Sequence, residues 1–262
     1  MKPRLAAAIL FLLMLAASLI VFKPGRSYAV QDRDAIMASS SPQHWTGTDQ
    51  LGRDRTVRIS AALLISFAGA TAASAVATAI AAAVGTLAAF SPKVVAFLLM
   101  LASDLFLTLP WLFLLMLVRS GLPLTTSPMH SAAITFIILA FLGWSACART
   151  VYSGATNLRA SEWMMQGRAS GLRPVQLTRL HLLPHLRTLL LPQFLLCIPA
   201  FIVAEANLGT LGLGIAEPLP SWGTMLLELD NSALLARSSW VYLPIALLVA
   251  VLLLLESFAV EV

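Results

Sequence analysis

Asp104 and Glu205 are carboxylates set in runs of apolar residues. Ionisable groups are costly in hydrocarbon, so an acid so placed marks a brace, a substrate path or a proton relay. Glu205 is expected to make a structural hydrogen bond near the outer end of its span. Asp104 is expected to cap or brace helices, with direct substrate contact the alternative for each. Gly47-Thr-Asp-Gln-Leu-Gly-Arg-Asp54 has the glycines of a phosphate loop but lacks the Lys-Ser/Thr pair and follows no strand. Asp49, Arg53 and Asp54 suit a local ion network that orders a loop, with reception of a second protein as the other reading. His181 and His185 have the i,i+4 spacing of a helical metal pair, but Pro184 lies between them and no HExxH glutamate accompanies them. His44 and His130 stand isolated, and Cys147 and Cys197 read as ordinary buried thiols rather than a disulfide. No nucleophile–base set, metal cluster or nucleotide motif emerges, so hydrolysis of ATP by this chain itself is not expected.

The remaining polar chemistry is concentrated between residues 149 and 192. That stretch carries six arginines (149, 159, 168, 173, 179 and 187) and one acid, Glu162, and apolar runs flank it on both sides. So basic a segment must lie in water or against another protein. It reads as two short helices around a turn. Asn157 or Ser161 can cap the first by accepting from free backbone N–H groups. Leu158, Glu162, Met165 and Ala169 are assigned to one face. Gly171 suits the left-handed residue that ends a helix. Pro174 suits the first turn of a second helix with Leu177, Leu180 and Leu183 inward. A loop lying on anionic lipid is the plain reading; a lever gripped by another protein is the functional one.

The elements that must hold these groups are membrane helices. The chain has 262 residues, 59% hydrophobic and 11% charged, with mean hydropathy +0.86. Soluble domains carry roughly 25% charged residues. A hydrocarbon core of about 30 Å takes about 20 apolar residues per helix. Six spans satisfy that length: about 5–22, 60–90, 94–118, 131–150, 190–214 and 239–260. The fold class is therefore all-α integral membrane. The first span and outer loop form 1–58, and the membrane domain proper 59–262, with the basic loop at 151–189. The first span has a signal-like charge pattern but is read as a retained helix, because Lys23-Pro24-Gly25-Arg26 follows it. In the second span, Gly69, Ala73, Ala77, Ala81 and Gly85 recur every four residues and stack on one face. Such a stripe permits close packing, in the bundle or against a partner or moving gate. Pro110 is expected to break or kink the third span, Pro199 to kink the fifth, and Pro192 to sit at its entry. With the N-terminus inside, nine Lys and Arg fall inside and eight outside, so charge counting leaves orientation undecided.

Met165-Gln-Gly-Arg-Ala-Ser-Gly171 and Leu180-His-Leu-Leu-Pro184 resemble the EAA loop of ABC importer permeases. Gly47–Asp54, Ala204-Glu-Ala-Asn-Leu-Gly-Thr-Leu-Gly-Leu-Gly214 and Pro218-Leu-Pro-Ser-Trp-Gly-Thr-Met225 narrow the resemblance to the second permease of dipeptide, oligopeptide and nickel importers. The resemblance covers nearly the whole chain. It implies a non-catalytic permease of the bacterial inner membrane, with both termini cytoplasmic, and residues 23–58, 119–130 and 215–238 outside. It also implies a second permease subunit, two ABC ATPase subunits that bind ATP and Mg, an extracytoplasmic substrate-binding protein and the lipid bilayer as partners, with no nucleic acid and no cofactor on this chain. Glu162, Met165, Gln166, Gly167, Arg168, Ala169 and Gly171 would couple to the ATPases; Gly47, Asp49, Gly52, Arg53 and Asp54 form the outer-loop motif. Substrates of the family are short peptides or nickel, and a self-sufficient channel or carrier is the more distant alternative. Two departures stand out: Met165 replaces the usual glutamate, and the C-terminal residues lack the usual polar Gly-Asp tail.

Overall fold

Apolar runs bounded by Pro, Gly and charged residues become helices, and the caps are visible in the chain. The computed structural model describes residues 3–108, 110–121, 127–172, 176, 182–230, 235 and 239–259. Helix α1 is Pro3–Val21, α2 Arg55–Phe90, α3 Lys93–Thr108, α4 Trp111–Ser120 and α5 Pro128–Arg159. Helix α6 is Glu162–Ala169, α7 Leu183–Thr210, α8 Trp222–Leu226 and α9 Leu243–Ala259. Asp54 starts α2 by accepting from the N–H groups of Thr56 and Val57, where a carboxylate also meets the positive end of the helix. Ser127 starts α5 with Pro128 in its first turn. Among the described residues no strand forms; Thr48 and Asp54 make one isolated bridge.

Among the described residues, five helices are long and apolar enough to cross a membrane: α1, α2, α5, α7 and the Ser239–Ala259 unit that contains α9. The expected third span is broken, as Pro110 suggests: α3 and α4 meet at 84°, and the pair makes a sixth span if taken together.

The stripe of small residues on α2 packs inside the chain. Phe136 of α5 lies over Gly69, and Val151 and the Ala148 carbonyl lie over Gly85. Ala73, Ala77 and Ala81 between them are buried. The stripe therefore serves close approach of α2 and α5 within the chain. Helix α7 lies across this pair, and the core joins Phe201 and Ile202 of α7 to Leu139 and Trp144 of α5.

Two boundaries differ from expectation for a physical reason. Helix α5 runs to Arg159 rather than about 150, and α7 starts at Leu183 rather than about 190. Loss of apolar character marks where a helix leaves hydrocarbon, not where it stops being helical. At 1.5 Å per residue α5 is about 48 Å long, well beyond a core of about 30 Å. Its last turns project, held by Arg159, which donates to the Ala89 carbonyl at 2.7 Å and lies over Phe90. Pro192 is consequently inside α7, like Pro199, and not at its entry.

Candidate functional site

The projecting ends of α5 and α7 carry α6 between them. Helix α6 is amphipathic in a short compass: Met164 and Gly167 are buried, whereas Glu162, Met165, Gln166, Arg168 and Ala169 are exposed. The spacing of Met164 and Gly167 is one helical turn, so the two form one narrow buried seam on α6. Trp163 touches the His185 ring at 6.1 Å from the start of α7, yet keeps 64% of its surface exposed. Met165 is 54% exposed. A short helix that turns Trp and Met outward among Glu162, Gln166 and Arg168 has the composition of an interface core with a polar rim.

The end of α6 is set by backbone geometry. Gly171 has φ of +74° and nothing near where a Cβ would stand. Its N–H donates to the Arg168 carbonyl at 3.0 Å, and that of Leu172 to Gly167 at 3.2 Å. These are the paired bonds of a Schellman stop, and the left-handed residue that makes them is best a glycine. The start differs from expectation. Ser161 occupies the cap position, but its hydroxyl donates backwards to the Leu158 carbonyl at 2.7 Å. Asn157 and Leu158 belong to α5, so Leu158 does not share the face of Glu162, Met165 and Ala169. The backward bond ties the two helices at their corner, which fixes α6 to the rigid end of α5. Arg173, Pro174, Leu177, Arg179, Leu180 and His181 lie outside the described residues, as does the side chain of Leu183.

At the opposite end of the bundle the outer-loop motif forms the expected ion network, and a larger one. Asp49 is buried and accepts from the backbone of Leu51 and Arg53 and from Arg53 Nε at 2.6 Å. Arg53 and Arg58 both reach Glu217, at 2.6 and 3.0 Å, and Arg58 also lies 3.6 Å from Asp49. Arg55 pairs with Glu228 at 2.9 Å. Burial opposes the Arg53 charge, but Asp49 and Glu217 outweigh it and hold the guanidinium above its ordinary value. Burial pushes the Glu228 carboxyl up against the pull of Arg55. The glycines of the motif have backbone reasons: Gly47 and Gly52 take φ of +76° and +73°, and a Cβ on Gly52 would strike the Asp32 carbonyl. Asp54 caps α2 and also meets His44 Nδ1 at 3.0 Å. His44 is thus not isolated, and neither is His130, whose Nδ1 meets the Ser127 hydroxyl at 2.5 Å.

Asp49→Ala would leave Arg53 and Arg58 short of a buried counter-charge. Removal of one partner from such a network is expected to cost about 3–5 kcal/mol. Thermal unfolding of the purified protein and protease resistance of residues 23–54 measure it, with Asp49→Asn milder because an acceptor oxygen remains.

The two intramembrane acids each meet a partner on a neighbouring helix. Glu205 is fully buried on α7 and accepts from Ser66 of α2 at 3.0 Å. Asp104 of α3 pairs with Arg149 of α5. Neither joins a catalytic set, and among the described residues no group of three His, Cys, Asp or Glu could hold a metal. The partners Glu217, Arg58 and Arg149 were missed as site residues in the sequence, as was the exposure of Trp163. Glu217 is 164 residues from Arg53, and its only sequence signal is an acid directly before the Pro218 block.

The description "binding-protein-dependent transport system inner membrane component" matches residues 79–262. A protein of Brucella suis biovar 1 (strain 1330) named as a peptide permease is 31% identical over 218 residues, 82% of this chain and 70% of its own length. The oligopeptide transport system permease protein OppC of Escherichia coli K12 is 30% identical over 248 residues, 93% of this chain and 80% of its own. The dipeptide transport system permease protein DppC of Bacillus subtilis is 29% identical over 229 residues, 86% and 69% respectively.

Proposed function

Because this chain belongs to the family of binding-protein-dependent transport inner membrane components, we propose that it is the permease subunit that forms one half of an ATP-driven import path for di- and oligopeptides. The peptide assignment follows relatives named for oligopeptide and dipeptide transport. Such a permease is a multi-pass inner-membrane protein that works with other transporter components. In this reading those components are a second permease subunit, two ATPase subunits beneath α6 and an extracytoplasmic binding protein above the outer loop. Both termini then face the cytoplasm. ATP and Mg belong to the ATPase subunits, and this chain supplies no catalytic group.

The single observation that carries the coupling assignment is α6: a rigid, capped helix with Trp163 and Met165 exposed, seated on the projecting ends of α5 and α7. Its geometry suits a lever. The corner bond from Ser161 to Leu158 joins it to α5, and Trp163 joins it to α7 through His185. A partner whose ATP-bound and empty states grip α6 differently would bias the two helices between two arrangements, since only differential affinity shifts an equilibrium. Met165 replaces an acid with an apolar contact, so the seat offered by the ATPase must bury a thioether rather than pair a charge.

Uptake of labelled dipeptide and of nickel in a strain lacking only this chain tests the substrate reading. Dipeptide uptake is expected to fall to background and return with the wild-type chain, with nickel uptake unchanged. Unchanged dipeptide uptake would refute the peptide assignment.

A further inference from the structure

Cys147 of α5 and Cys197 of α7 are buried free thiols whose sulfurs lie 3.5 Å apart. Their proximity was not legible in the sequence, where 50 residues separate them. The Cys147 sulfur is oriented by its neighbours. It faces the Gly143 carbonyl at 3.8 Å and receives the Gln193 side-chain amide at 2.9 Å. Both cysteines also line a cavity of about 380 Å³ together with Gln193, Gly143, Phe106 and Phe201. A small apolar reagent therefore has room beside the pair. A disulfide bond is about 2.05 Å long, so the sulfurs need approach by only about 1.5 Å.

We propose that Cys147 and Cys197 form a reversible thiol–disulfide site that clamps α5 to α7 when oxidised. A two-electron thiol oxidant of the diazene class supplies the redox partner. One thiol adds across the N=N bond, its hydrogen passing to nitrogen. The second sulfur then attacks the first, the S–N bond breaks, the S–S bond forms, and the second hydrogen completes a hydrazine. Two thiols are oxidised and one diazene is reduced. A dithiol reductant reverses the step by exchange.

The consequence comes from position. Residues 147 and 197 bracket the end of α5, all of α6 and the start of α7. A covalent bond there closes the coupling segment into one loop and denies α5 and α7 independent movement. The transport consequence rests on the reading of α6 as a lever; the chemistry of the pair does not.

The test uses membranes holding the assembled transporter, treated with diamide, then denatured and alkylated with a polyethylene glycol maleimide. In the wild-type chain both thiols should be lost to alkylation together, with an intramolecular Cys147–Cys197 peptide by mass spectrometry, and both should return after dithiothreitol. In Cys147→Ser, Cys197 should stay alkylatable. Peptide uptake should be lost on oxidation, recover on reduction, and be insensitive to diamide in Cys147→Ser. Thiols that remain alkylatable in the treated wild type, while a control dithiol is oxidised, overturn the site. A complete disulfide with unchanged uptake, or equal inhibition of Cys147→Ser, overturns the clamp. Failure of the transport reading itself is distinguishable, because uptake would then be absent before any oxidant is added.

Discussion

Trp163→Asp combined with Met165→Asp is expected to strip the ATPase subunits from the transporter while the permease stays folded in the membrane. Both side chains face outward, with 64% and 54% of their surfaces exposed. Loss of the Trp163–His185 contact leaves α6 in place, because buried Met164 and Gly167, the Ser161–Leu158 bond and the Gly171 stop still hold it. An interface draws most of its energy from a few central aromatic and apolar anchors, and a buried Trp truncated at such a site costs 2 kcal/mol or more. Loss of both anchors, with two carboxylates forced into a dry seat, is therefore expected to cost about 4 kcal/mol, or about a thousandfold in affinity. Co-purification of ATPase with the tagged permease measures it. An unchanged melting profile of the isolated permease shows that the loss lies at the interface. Retention of ATPase at wild-type levels would mean that α6 is not the seat.

Gly223→Val is expected to remove folded permease from the membrane altogether. The blocks Ala204–Gly214 and Pro218–Met225 meet through bare backbone. A Cβ on Gly223 would stand 2.3 Å from Gly209 Cα and 2.4 Å from the Ala206 carbonyl, and one on Gly209 would stand 2.5 Å from Gly223 Cα. These obstacles are main chain, so no rotamer change relieves them. Helix α8 cannot back away either. Trp222 beside Gly223 is buried, and Ser221 and Thr224 hold the start of α8 in a reciprocal cap. Overpacking of a closed site costs about 3 kcal/mol, and here it also displaces the segment that carries Glu217 to Arg53 and Arg58. Gly223→Ala should act in the same direction, less strongly. Immunoblotting of membranes measures abundance, and a wild-type level of heat-stable protein would contradict the packing account.

Much of this architecture was legible along the chain because the signals are local. Apolar length gave the spans, Pro110 marked the break between α3 and α4, and Gly171 marked the end of α6. Asp49 and Arg53 announced a local network because they stand four residues apart. What escaped was of two kinds. Glu217 and Cys197 meet their partners only where distant segments of the chain pack together, and no spacing rule reaches that far. The projection of α5 to Arg159 escaped because composition reports the solvent around a helix and not its hydrogen bonding. Asn157 and Ser161 have the residue types of caps, but in the folded chain the first lies inside a helix and the second bonds backwards, so tertiary context overrode a sound local preference.

The coupling role of α6 is tested most directly by crosslinking from Met165→Cys, in a chain with Cys147→Ser and Cys197→Ser, to the ATPase subunits in native membranes. The account predicts an ATPase adduct from position 165 whose yield changes when ATP is added, and none from Ser27→Cys at the opposite end of the bundle. No ATPase adduct from position 165, or equal capture from position 27, would contradict it.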